Sequence, residues 1–136
     1  MRMALLIAVL VAAVGCGASQ GASGSSPSTR LTISFWPEGR GSGAPTTWTL
    51  RCNPPGGTLP RARVACARLN AMQRPFAPPP KDVQCTQIYG GPQEALITGT
   101  FRGRALRVTL ALRNGCEIAR AERLSFLVPG FRAGPS

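Results

Sequence analysis

The chain has 136 residues, enough for one domain, carries a formal charge of +11 drawn almost entirely from Arg, and contains no His. Without His it lacks the commonest general base, the usual zinc ligand and any Ser-His or Cys-His nucleophile pair. Its five carboxylates, Glu38, Asp82, Glu94, Glu117 and Glu122, are scattered and show no pairing of the kind a two-carboxylate hydrolase uses, so an enzyme is not expected, nor a metal or cofactor.

The Arg residues do not form one block, which nucleic-acid binding would require, and the charge reads as a solvated surface. Arg2 followed by the continuous apolar run Met3 to Val14 has the form of an export signal. That run is well short of the roughly 20 residues that span a bilayer. It ends in Ala13-Val14-Gly15-Cys16, which resembles a lipobox with Ala13 where Leu is usual. Residues 1–15 are therefore expected to be removed and Cys16 to be lipidated, anchoring the protein to the outer face of the membrane. An ordinary signal peptide cut a little later, giving a secreted protein, is the alternative. Either route leads to an oxidising compartment. With Cys16 set aside for lipid, the five Cys become an even set, Cys52, Cys66, Cys85 and Cys116, open to three pairings.

Residues 16–29 are mostly Gly, Ser and Ala, offer nothing to a core, and read as a flexible tether roughly 20 Å in span. The folded domain is expected over residues 30–136. Leu31, Ile33 and Phe35 alternate with polar neighbours, a strand signal; Pro37 to Pro45 is a Gly-rich loop; and Thr46 to Cys52 alternates again. After the breaker Asn53-Pro54-Pro55-Gly56-Gly57, Thr58 ahead of Pro60 predicts a helix start. Ala62, Ala65, Cys66, Leu69 and Met72 follow at helical spacing, with the end before Pro75. A Pro-rich loop runs to Lys81. Glu94 to Phe101 and Arg104 to Leu112 predict a hairpin about Arg102-Gly103, with Leu106, Val108, Leu110 and Leu112 inward and Arg107, Thr109 and Arg113 outward. Asn114-Gly115 reads as a turn, Glu117 to Glu122 as a short helix and Leu124 to Val128 as a last strand. The sum is α+β: an antiparallel sheet of about five strands, one main helix and a short second one.

Four segments carry a family resemblance: Thr49-Leu50-Arg51-Cys52-Asn53-Pro54, Ala65-Cys66-Ala67-Arg68-Leu69, Cys85-Thr86-Gln87-Ile88-Tyr89 and Asn114-Gly115-Cys116-Glu117. In order and spacing the chain resembles the subtilisin inhibitor-like family from about Leu31 to Val128. The resemblance implies disulfides Cys52–Cys66 and Cys85–Cys116. It also implies an exposed reactive loop, Gln84 to Gly91, presented to a subtilisin-like or chymotrypsin-like serine protease as if it were substrate. On this reading the scissile bond is Gln87–Ile88. Gln87 enters the main specificity pocket, Thr86 and Ile88 flank it, Tyr89 is an outer contact, and the Cys85–Cys116 bridge supports the loop. A homodimer is implied as well. Members of the family commonly have Met or Lys where Gln87 stands, so weak action on trypsin is expected. Gly90-Gly91 is expected to loosen the loop. The competing reading is a non-inhibitory cell-envelope lipoprotein that uses the same fold as a binding module.

Overall fold

A computed structural model describes residues 27–132 and 134. Its elements are β1 (Thr29–Trp36), β2 (Thr46–Cys52), α1 (Ala62–Ala71), β3 (Gly91–Phe101), β4 (Arg104–Leu112), α2 (Gly115–Arg123) and a 3-10 turn, Ser125–Leu127. The four strands form one antiparallel sheet in the order β2-β1-β3-β4. Both helices cover the same face, α1 against β2 and α2 against β4.

Alternation along the strands sets this sidedness. Leu31, Ile33 and Phe35 of β1, Leu50 of β2, Ala95 and Ile97 of β3, and Val108, Leu110 and Leu112 of β4 all point inward and are buried. Cys66 and Leu69 of α1 and Ala121 of α2 meet them. Phe35 stacks on Trp48 and meets the edge of Phe131. The hairpin turns at Arg102 and Gly103, both at positive φ (49° and 76°), the signature of a type I′ connection. Arg102 also reaches across to the C-terminal end of α1. Its guanidinium donates to the carbonyls of Met72 (2.9 Å), Gln73 (3.0 Å), Leu69 (3.2 Å) and Asn70 (3.3 Å), adding partners at the helix end, where the Leu69 carbonyl also takes the Met72 N–H.

Three expectations change. The sheet has four strands, not about five, because the segment after Leu124 is a 3-10 turn. Leu124, Leu127 and Val128 are buried together, a spacing of three and four that suits a turn of helix and not a strand, whose side chains alternate. Thr58 does not start α1. It pairs with β2, its hydroxyl accepting from the Thr49 N–H at 2.9 Å and its own N–H donating to Thr49 Oγ1 at 3.2 Å. The helix begins four residues later, with Arg61 at the N-cap and no side-chain cap. Asn114, read as part of a turn, instead caps α2, which is longer than expected.

Cys52 is joined to Cys66 and Cys85 to Cys116, the two pairs implied by the resemblance. The first ties α1 to the end of β2. The second ties the long connection between α1 and β3 to the first turn of α2.

Candidate functional site

The connection between α1 and β3 emerges beside the N-terminal end of α2. Of the four large apolar side chains exposed among the described residues, three lie in it: Val83, Ile88 (56 % exposed) and Tyr89 (69 % exposed). Gln84, Thr86 and Gln87 are exposed too, and Cys85 is half-buried. Apolar groups clustered on a convex surface mark a contact site more often than isolated ones do.

Beneath this crest the loop is held on both sides. Upstream, Cys85 is covalently bound to Cys116, and the Thr86 carbonyl accepts from the Gly115 N–H at 2.9 Å. A β-carbon on Gly115 would lie 2.1 Å from Thr86 Oγ1, so a larger residue there would have to turn the Thr86 side chain away. The Asn114 side chain accepts from the Glu117 N–H at 3.0 Å, fixing the first turn of α2 and with it both anchors. Downstream, the Gly90 N–H donates to the Leu112 carbonyl at 2.8 Å, and the Gly90 carbonyl accepts from the Gly134 N–H at 2.9 Å.

Gly90-Gly91, expected to loosen the loop, is bonded and closely packed in the structure. Gly90 is bonded through both its backbone groups and packed so closely that a β-carbon would meet Ile118 at 3.0 Å and Leu112 at 3.1 Å. Gly91 has φ +131°, a conformation that a residue with a side chain adopts only under strain, and it opens the irregular start of β3. Gly91 is favoured by its backbone conformation, and a larger residue at 90 would have to displace Ile118 or Leu112 by a few tenths of an ångström.

Between these anchors stand Gln87, Ile88 and Tyr89. Among the described residues, none of their backbone N–H or C=O groups is paired within the protein. The one polar contact here is local: Gln87 Nε2 donates to the Cys85 carbonyl at 3.1 Å. Such a segment, exposed, unpaired and clamped at each end, is able to add itself as a strand to a partner's edge.

The loop base is braced by charge as well. Glu94, largely buried near the start of β3, pairs with Arg40 (2.8 Å) and lies 3.7 Å from Arg113. Arg40 in turn lies over the Trp36 ring, drawing the β1–β2 loop against this end of the sheet. On the other side, Arg120 of α2 donates to the carbonyls of Thr109 (3.3 Å) and Phe76 (3.0 Å), fastening the start of the connection to β4. Burial holds its pKa below the ordinary value, with Glu117 opposing that shift and Arg123 adding to it.

Sequence reasoning did not single out Gly90, Glu94, Asn114 or Gly115 as supports. The Asn-x-x-Glu spacing at 114–117 was a legible helix-start signal. The others depend on contacts between distant segments.

Residues 25–114 match the family model described as subtilisin inhibitor-like. Among solved structures the chain is similar to one described as Streptomyces caespitosus sermetstatin in complex with Bacillus licheniformis subtilisin. The identity is 27 %, the match covers 76 % of this chain and 98 % of that one, and the TM-score is 0.47. No curated protein matches the chain.

Proposed function

The chain belongs to the subtilisin inhibitor-like family, an inhibitor and not an enzyme, and on that premise we propose that it inhibits a serine protease by inserting Gln87–Ile88 into the active-site cleft as a substrate mimic. The observation that carries this reading is the crest itself. Gln87, Ile88 and Tyr89 are exposed, with backbone groups that have no partner among the described residues, while Cys85, Thr86 and Gly90 on either side are tied to α2 and β4.

The physical reason for inhibition over digestion is loss of freedom in advance. A loop already ordered by a disulfide and three backbone bonds gives up little entropy on binding, so more of the contact energy appears as affinity. After cleavage the new ends would stay in place, Thr86 through Gly115 and Gly90 through Leu112, and religation would compete with release. The Ser-His-Asp machinery belongs to the partner. Gln87 fills the pocket, Thr86 and Ile88 flank it, and Tyr89 makes an outer contact. To enter the pocket, the Gln87 amide must leave the Cys85 carbonyl.

Two disulfides suit an oxidising, extracytoplasmic compartment. No helix among the described residues is long and apolar enough to cross a membrane. Residues 1–15 and Cys16 lie outside the described residues. Export through the first fifteen residues and lipid attachment at Cys16 complete the proposal, which sets the inhibitor at the outer membrane surface.

The test titrates the disulfide-bonded chain lacking residues 1–16 against subtilisin, a chymotrypsin-like enzyme and trypsin. Stoichiometric inhibition of subtilisin is expected. It should weaken at least about tenfold with Gln87→Ala, strengthen with Gln87→Met, and extend to trypsin with Gln87→Lys. Rapid cleavage of the loop without inhibition would refute the mechanism and leave the non-inhibitory envelope-binding module in its place.

A further inference from the structure

We propose that the end of the sheet opposite the reactive loop is a docking surface for anionic lipid headgroups. The proposal rests on the reading above that Cys16 carries lipid and is independent of whether the loop inhibits.

The strands carry four Arg and one carboxylate: Arg30, Arg51, Arg104 and Arg107 against Glu94. They are sorted by position. Glu94 sits at the loop end, already paired with Arg40. All four Arg sit toward the other end, where β1 begins, β2 finishes and the β3–β4 hairpin turns. Arg30 and Arg51 are direct cross-strand partners on the outward face. Arg107 is opposite Thr98, which neighbours Thr32, on the same face; Arg104, opposite Phe101 at the rim, has the inward parity of Leu106 and Val108 and lies off that face. Four strands at about 4.8 Å spacing spread this charge over roughly 14 Å. All four side chains are exposed, and among the described residues none has an ion-pair partner. Like charges placed directly across strands destabilise a sheet unless an anion compensates them.

The surface also has a shape. Arg30 and Arg51 form the shared wall of two shallow concavities. One, of about 420 Å³, is lined further by Thr32, Thr49 and Thr100, and the other, of about 350 Å³, by Ser28 and Asn53. Guanidinium forks flanked by hydroxyls are chemistry for a phosphodiester.

The path of the chain selects a membrane as the occupant. Pro27 and Ser28 enter at this same end, the Ser28 carbonyl accepting from the Gly103 N–H at 2.9 Å. Ten residues separate Pro27 from Cys16, which limits their separation to about 40 Å. With Cys16 in the bilayer, the basic end is the part of the domain held nearest the headgroups, and Gln87 is carried on the far side.

The experiment uses the unlipidated chain lacking residues 1–16. Among the described residues every buried core residue lies between Thr29 and Phe131, so this chain keeps the whole described fold. Co-sedimentation is measured with phosphatidylcholine vesicles, with and without phosphatidylglycerol. Binding is expected only with phosphatidylglycerol, weakening as salt is raised. Arg30→Gln with Arg51→Gln and Arg107→Gln should lower it about fivefold per charge, about a hundredfold together. Arg61→Gln with Arg63→Gln and Arg68→Gln, on α1 and just before it, removes the same charge elsewhere and should have a much smaller effect. Equal loss from the two triple variants, or equal binding to both vesicles, overturns the proposal. Thermal melts confirm that both variants are folded. A chain that binds the anionic vesicles but fails to inhibit leaves this inference standing; one that inhibits but ignores the vesicles removes it.

Discussion

Asn114 shows how a single side chain on a helix end reaches the candidate site without touching it. Its carboxamide oxygen takes the Glu117 N–H, setting the first turn of α2. In that turn the Gly115 N–H holds the Thr86 carbonyl, and Cys116 holds Cys85. Asn114→Ala is expected to cost about 1 kcal/mol of stability in a denaturant titration. It should also hasten cleavage of the Gln87–Ile88 bond by a bound protease, because the upstream anchor shares the turn that frays. Asn114→Asp, which preserves the cap, should restore both. Gly90 and Gly91 make the complementary point. Read alone, two glycines suggest slackness; in place, one fits where no β-carbon could without moving Ile118 or Leu112, and the other supplies a φ of +131°.

At the scale of elements, the two disulfides have different tasks. Cys52–Cys66 spans 14 positions and fixes α1 to the sheet; Cys85–Cys116 spans 31 and fixes the loop to α2. Chain-entropy reasoning gives them about 3 and about 4 kcal/mol respectively. Replacing Cys85 and Cys116 together by Ser is expected to lower stability by about 4 kcal/mol and to turn the inhibitor into a substrate, seen as loop cleavage during titration with subtilisin. Cys52→Ser with Cys66→Ser should lower stability without that change, since Thr86 and Gly90 keep their partners. Arg102 and Arg120 act similarly through hydrogen bonds, each joining a helix to a segment far away in sequence.

For the whole molecule, the antiparallel sheet separates two ends. One carries the crest with Glu94 and its Arg partners at its base; the other carries the incoming chain and a cluster of unpaired Arg. On the proposed reading, an anchor at one end and a reactive loop at the other would let an inhibitor meet its target while held at a surface. Intact-mass spectrometry of the mature protein is expected to show diacylglycerol on Cys16; an unmodified N-terminus cut beyond it would mean that the domain is released.

Local periodicity made much of this readable from the amino-acid order. Alternation along Leu31–Phe35, Thr46–Cys52 and Leu106–Leu112 determined the strands and their inward faces, and the Arg102-Gly103 pair determined the hairpin. The family resemblance implied the cysteine pairs that the structure shows. Tertiary structure alone decided the rest. Leu124–Val128 is apolar enough for a strand, but the space beneath the sheet takes it as a 3-10 turn. Thr58 has the chemistry of a helix cap, but Thr49 claims it first. The gathering of Arg30, Arg51 and Arg107 toward one end, and the close packing of Gly90, depend on strand order and on contacts between distant segments. Periodicity encodes what a residue's near neighbours do; which distant segment arrives beside it is settled only when the burial of the whole core is satisfied at once.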